Sequence, residues 1–97
     1  MLLEWSLFAV EDRSAIFDFI EVDSFHAAVL VDDRIRAHVE MLKGFPEMGR
    51  PGRIAGTREL VIDRTPYIAA YRVLEGTIQI LRILHGSQQW PEELETR

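Results

Sequence analysis

The sequence predicts an α+β domain of order βααβββ, a helical hairpin packed on a mainly antiparallel four-stranded sheet. Three observations carry that expectation. From residue 56 to residue 90, apolar and polar residues alternate at a period of two, the pattern of half-buried strands. Two earlier stretches repeat their apolar residues every three or four positions, the period of a helix. The whole chain has 97 residues, enough for a single domain, 1–97, with one modest core.

Taken in order, residues 1–8 set Leu3, Trp5 and Leu7 against Glu4 and Ser6, which predicts a first strand joining the same sheet. Residues 10–22 predict a helix with Glu11 and Asp12 in its first turn, where carboxylates favour the helix dipole. Ile16, Phe19 and Ile20 form its apolar stripe, and Phe17 lies off it, toward the next helix. Asp23 and Ser24 then break the pattern and supply an N-cap. Residues 25–43 predict a longer helix whose buried stripe is Phe25, Ala28, Val31, Ile35, Val39 and Leu42, closed by Lys43 and Gly44. Residues 45–55 are rich in Gly and Pro and read as a loop carrying Arg50 and Arg53.

The three remaining strands follow. Leu60 and Ile62 share one face, opposite Glu59, Val61 and Asp63; Pro66, lacking an N–H, ends that run. Tyr67, Ala69, Tyr71 and Val73 share a face of the next strand. In the last, Ile78, Ile80, Arg82 and Leu84 oppose Leu81, Ile83 and His85. Leu74-Glu75-Gly76-Thr77 is a hairpin turn with glycine available for positive φ. Residues 92–97 predict a frayed or weakly helical tail.

Composition narrows the function. The net charge is −5, divided unevenly: −6 over residues 1–42, +3 over 43–90 and −2 over 91–97. A domain that grips a phosphate backbone usually carries a basic excess, and this one does not. No apolar run is long enough to span a bilayer, and the start lacks a signal-peptide pattern. With no cysteine, thiolate metal sites and disulfides are excluded, which fits a cytoplasmic protein.

Among residues with chemistry to offer, the arginines come first. Arg50, Arg53, Arg58, Arg72 and Arg82 belong to the loop and sheet half, where guanidinium forks suit carboxylates or phosphates. Internal pairing with Glu59, Asp63, Glu75 and the acidic helices is the competing role, and it is favoured for Arg58 and Arg72. Arg82 stands out because it interrupts the apolar face of Ile78, Ile80 and Leu84. His85, at a strand end beside Gln88, Gln89 and Trp90, suits general acid–base work, though backbone hydrogen bonding is the commoner role there. His26 and His38 have no spaced partner, so no metal or other cofactor is expected. Asp32 and Asp33 read as a solvated helix face. Tyr67 and Tyr71 share a side and suit either the core or base stacking. Trp90-Pro91 is expected to pack the tail on the sheet.

The ordered set GTRELVI, TPYI, AYRV and ILRILHGSQQWP, following two helices, resembles the RelE/ParE superfamily of bacterial type II toxins, over residues 5–91. The resemblance implies that superfamily's fold and a cognate antitoxin that binds the toxin and carries the operator-DNA contact. It implies one of two actions. RelE-like members are ribosome-dependent mRNA endoribonucleases; laid on their pattern, Ile68 and Gln88 stand where catalytic arginines are found, leaving Arg82, His85, Arg53 and Tyr71 as participants. ParE-like members, which this sequence resembles more closely, share the I-L-R-x-L-H-G strand and act as DNA gyrase poisons, although the tail here is short. On that reading Arg50, Arg53, Arg72, Arg82, His85, Gln89 and Trp90 form the surface for target or antitoxin, and the protein is a binder rather than an enzyme. Plasmid stabilisation is the role such modules imply.

Overall fold

Ser6 separates the first two elements. Its hydroxyl accepts from the Ala9 N–H at 3.0 Å and donates to the Leu81 carbonyl at 2.8 Å, capping a helix and tying its start to the sheet. Strand β1 therefore covers only Leu2–Trp5, and helix α1 covers Leu7–Glu21. The helix starts three residues earlier than its apolar period suggests, so Glu11 and Asp12 fall outside the first turn, which holds no acid. The structure, a computed structural model, describes residues 1–94. Residues 92–94 form no helix, and the rest of the predicted tail lies outside the described residues.

Helix α2 spans Phe25–Met41, with the Ser24 hydroxyl accepting from the Ala27 N–H at 3.1 Å. Ala28, Ile35, Val39 and Leu42 are buried as the spacing predicts. Phe25 is not: it is 65% exposed at the tip of the hairpin, its ring edge-on to Phe17 at 5.8 Å. Asp32 is not a solvated acid either, because the Arg13 fork grips it at 3.0 and 2.9 Å and ties the two helices together. Lys43 lies beyond the helix, and the basic residue of the last turn is His38. The His38 ring accepts from the Asp63 N–H through Nε2 and pairs with the Arg34 carbonyl through Nδ1, linking α2 to the sheet.

Five strands form the sheet, not four. After β1 come β2 (Arg50–Pro51), β3 (Arg58–Val61), β4 (Tyr67–Leu74) and β5 (Thr77–His85), in the spatial order β1-β5-β4-β3-β2. The additional strand, β2, lies in the predicted loop; two residues are too few to show a period. Strand β1 runs parallel to β5, and the other pairs are antiparallel. Between β4 and β5, Glu75 and Gly76 have φ of 49° and 74°, both left-handed as a type I′ turn requires.

One irregularity decides which side chains share a face. Tyr71 pairs with Ile80 but Ala70 pairs with Arg82, so Leu81 is an extra residue and β5 bulges there. The period of two breaks at that point. Ile83 joins Ile78 and Ile80 beneath the helices, with Leu60, Ile62, Ala69 and Tyr71, while Arg82 and Leu84 move to the other face. Arg82 thus does not interrupt the core face as the sequence suggests.

Candidate functional site

The face of the sheet away from the helices is set by cross-strand register, which brings Arg50, Glu59, Ala70 and Arg82 into one row across β2, β3, β4 and β5. Glu59 is its anchor. Though charged, its side chain is only 3% exposed, and it collects hydrogen bonds from the Arg50 fork, the Arg53 fork and the Arg53 backbone N–H at 2.8–3.2 Å. Burial pushes its pKa up, but the hydrogen bonds from Arg53 and Arg50 outweigh that, and the carboxyl stays below its ordinary 4.5. Two guanidiniums on one carboxylate leave the cluster cationic, and both remain about half exposed.

Trp90 closes this site. Its ring lies under the Arg53 guanidinium, 3.6 Å from centroid to carbon, and its indole N–H donates to the His85 carbonyl at 3.3 Å. Arg50, Arg53 and Trp90, singled out from the sequence, are therefore brought together, with Gln89 exposed beside them. The packing of the tail on the sheet is as expected.

The other predicted site residues, Arg82 at the far end of the row among them, are engaged by other partners. Arg82 reaches the Asp12 carboxylate of α1 at 2.7 and 3.0 Å, and Asp12 also accepts from the Ile83 N–H at 2.9 Å. That hydrogen bond, ahead of the cost of burial, raises the Arg82 pKa. Asp12 covers a backbone donor on the part of β5 that β1 does not reach. Asp12→Ala is accordingly expected to cost about 2–3 kcal/mol, since it orphans a backbone N–H and removes the anion of a half-buried pair; urea unfolding measures it. Arg72 is held by Gln79, the neighbouring residue across the hairpin. Arg58 donates to the Gly49 carbonyl at 2.7 Å, and Arg64 lies 3.5 Å from Asp63.

His85 stands edge-on to Tyr67, with centroids 5.6 Å apart. Its Nδ1 accepts from the Ser87 N–H at 3.1 Å and meets the Ser87 hydroxyl at 2.8 Å. Tyr71 is wholly buried on the opposite face from Arg82, its hydroxyl bonded to the Pro46 carbonyl and the Gly49 N–H. Burial raises its pKa. Sequence reasoning named Glu59 and the acidic helices as pairing partners for the arginines, but not which arginine each acid takes, nor Asp12 as the acid of the helix that reaches Arg82. Glu59 left one sign, a carboxylate on the outward side of a strand otherwise near arginines; Asp12 left none, being 70 residues from its partner.

No group of His, Asp and Glu among the described residues is arranged to hold a metal ion. No described helix is long and apolar enough to cross a membrane.

A two-helix hairpin on this sheet, with a short tail strapped beside arginines, defines the class: a toxin of type II toxin–antitoxin systems. The model of the ParE toxin of type II toxin–antitoxin system, parDE, matches residues 3–90, and the chain belongs to that family. It is 42% identical over 92 residues to the toxin candidate Y4kP of Sinorhizobium fredii, covering 95% of each chain. It is 36% identical over 84 residues to toxin RelE2 of Caulobacter vibrioides, covering 87% of this chain and 93% of that one. Among solved structures it is similar to a chain of the chromosomal ParDE system from P. aeruginosa, with a TM-score of 0.82 and 34% identity over 88% of this chain and 95% of the other. Membership brings an antitoxin as partner.

Proposed function

We propose that this toxin acts by binding a protein, DNA gyrase, in the cytoplasm, and that it carries out no bond cleavage of its own. The observation that carries this reading is the state of the cations and rings on the sheet side. Arg82 is neutralised by Asp12, Arg50 and Arg53 hold Glu59, His85 accepts from Ser87, and Tyr71 is buried. General acid–base cleavage of RNA needs several such groups converging on one phosphodiester; here each has an internal partner, and Tyr71 and Arg82 face opposite ways. The half-exposed Arg50, Arg53 and Trp90 offer a surface suited to an acidic partner, arginine and tryptophan being common anchors of protein interfaces. Purified toxin incubated with gyrase, ATP and supercoiled or relaxed plasmid is expected to block supercoiling and to accumulate linear DNA. Unchanged gyrase activity at a large molar excess of toxin would overturn the proposal.

A second reading is the other action that the superfamily resemblance implies, cleavage of mRNA on the ribosome; one relative is named toxin RelE2. It expects codon-phased cuts in translated mRNA that vanish with Arg82→Ala or His85→Ala, in which case Asp12 would have to release Arg82. Both readings keep the antitoxin as the neutralising partner, with operator DNA bound through the antitoxin.

A further inference from the structure

Sulfur in this chain is confined to methionine: there is no cysteine, and the three methionines are Met1, Met41 and Met48. Two of them line one cavity. Past the end of α2, the Met41 carbonyl accepts from the Gly44 and Phe45 N–H groups at 3.2 and 3.1 Å. The Phe45 carbonyl then accepts from the Met48 N–H at 3.0 Å, so the chain doubles back. The turn borders a cavity of about 520 Å³ lined by Met41, Phe45, Pro46, Glu47 and Met48. Met41 is 49% and Met48 39% exposed, so a small oxidant dissolved in water reaches both thioethers.

The two methionines differ in what their backbone is tied to. Met41 ends a helix, and its side chain can turn to water without moving the loop. Met48 lies between two pins. The Tyr71 hydroxyl donates to the Pro46 carbonyl at 2.7 Å and accepts from the Gly49 N–H at 2.9 Å. Arg58 donates to the Glu47 and Gly49 carbonyls at 3.3 and 2.7 Å. One residue beyond Gly49, Arg50 pairs with Glu59 across β2 and β3 and donates to its carboxylate at 3.1 Å.

We infer that Met48 is an oxidation site for hydrogen peroxide, and that its sulfoxide loosens this loop and withdraws Arg50 from Glu59. The thioether sulfur attacks one peroxide oxygen, the O–O bond breaks, and sulfur gives up two electrons as the S–O bond forms. The leaving hydroxide takes the proton of the transferred oxygen and departs as water. A thioether suits the cavity and a sulfoxide does not. The new oxygen is a strong acceptor, and no lining side chain can donate to it: Glu47 is itself an acceptor, and the others are apolar. The oxidised side chain therefore turns to water, and a backbone held at Pro46 and Gly49 has to shift to let it. A methionine sulfoxide reductase reverses the change, with a dithiol supplying two electrons and the oxygen leaving as water. The inference concerns the loop that delivers Arg50 and does not rest on gyrase being the target.

The test treats the purified full chain with hydrogen peroxide and locates each added oxygen by peptide mass. Met48 is expected to take up one oxygen. Hydrogen exchange at the Gly49 amide is then expected to quicken at least about tenfold, and the amide signals of Arg50 and Glu59 to move. Met41→Leu is expected to respond as the parent does. Met48→Leu, which nearly keeps the side-chain volume, is expected to show neither the faster exchange nor the moved signals after the same treatment. Reductases for both sulfoxide epimers, supplied with a dithiol, are expected to restore slow exchange in the oxidised parent. Met48 left unoxidised while Met1 and Met41 convert, an oxidised Met48 with unchanged Gly49 exchange, or an equal response in Met48→Leu would each overturn the inference.

Discussion

Tyr71→Ala is expected to lower the free energy of unfolding by about 3–5 kcal/mol, enough to leave little folded protein at ordinary stability. The ring is wholly buried, and its removal opens a cavity in the core cluster beside Ile80, its partner across the hairpin. The hydroxyl adds a second effect. It donates to the Pro46 carbonyl at 2.7 Å and accepts from the Gly49 N–H at 2.9 Å, so it pins the segment that leads into β2. A methyl group built on Gly49 would lie 2.7 Å from the ring, which is why that segment can close so tightly. Tyr71→Phe keeps the ring and removes both hydrogen bonds, and is expected to cost about 1–3 kcal/mol, because the donor and acceptor left behind are shielded from water. Urea unfolding of the two variants separates packing from pinning. If Tyr71→Phe unfolds at the same midpoint as the parent, the hydroxyl does not hold the segment.

Glu59→Ala is the second large effect. It removes the acceptor of four hydrogen bonds and leaves two guanidiniums beside each other. A wholly buried pair would lose roughly 3–5 kcal/mol. Because Arg50 and Arg53 are about half exposed and can rehydrate, about 2–3 kcal/mol is expected. The acid limb of the stability curve provides the check. The folded carboxyl titrates below its ordinary 4.5, so its contribution is present above that value and disappears as pH falls through the lower folded one. Glu59→Gln should flatten this limb. It should also loosen Trp90, whose stacking partner Arg53 loses its anchor, as a change in Trp90 fluorescence in a Trp5→Phe background. An unaltered acid limb in Glu59→Gln would show that this carboxylate is not the titrating group.

The order of elements was legible because each writes a local period. Helix α2 shows it best: Ala28, Ile35, Val39 and Leu42 are buried where their spacing puts them. The turn at Glu75-Gly76 was legible through Gly76, which takes a positive φ freely; Glu75, the other left-handed residue, is not a type that position favours and gave no signal. The start of α1 was misplaced because Ser6 continued the apolar-polar alternation of β1 while acting as the cap of the helix. Strand β2 escaped because two residues carry no period. The alignment of Arg82 with Ile78 and Ile80 failed at Leu81, where a bulge inserts one residue and exchanges every later side chain between faces. Of the candidate site, the arginines, Trp90 and Glu59 could be picked out by type, whereas the pairing of each acid with its arginine could not.

What the chain determined by itself was its inventory: two helices, four alternating strands, an acidic first half, an arginine-bearing second half, and the ordered motifs of a type II toxin. Periodicity and charge are properties of neighbours along the chain, so they are readable without a fold. What only the tertiary structure decided was which charges meet. Asp12 reaches Arg82 across 70 positions, and Glu59 takes Arg50 and Arg53 only because β2 adds to the edge of β3. A guanidinium is free or engaged according to what lies within about 3 Å of it, and that distance is set by register and packing, which sequence spacing does not encode.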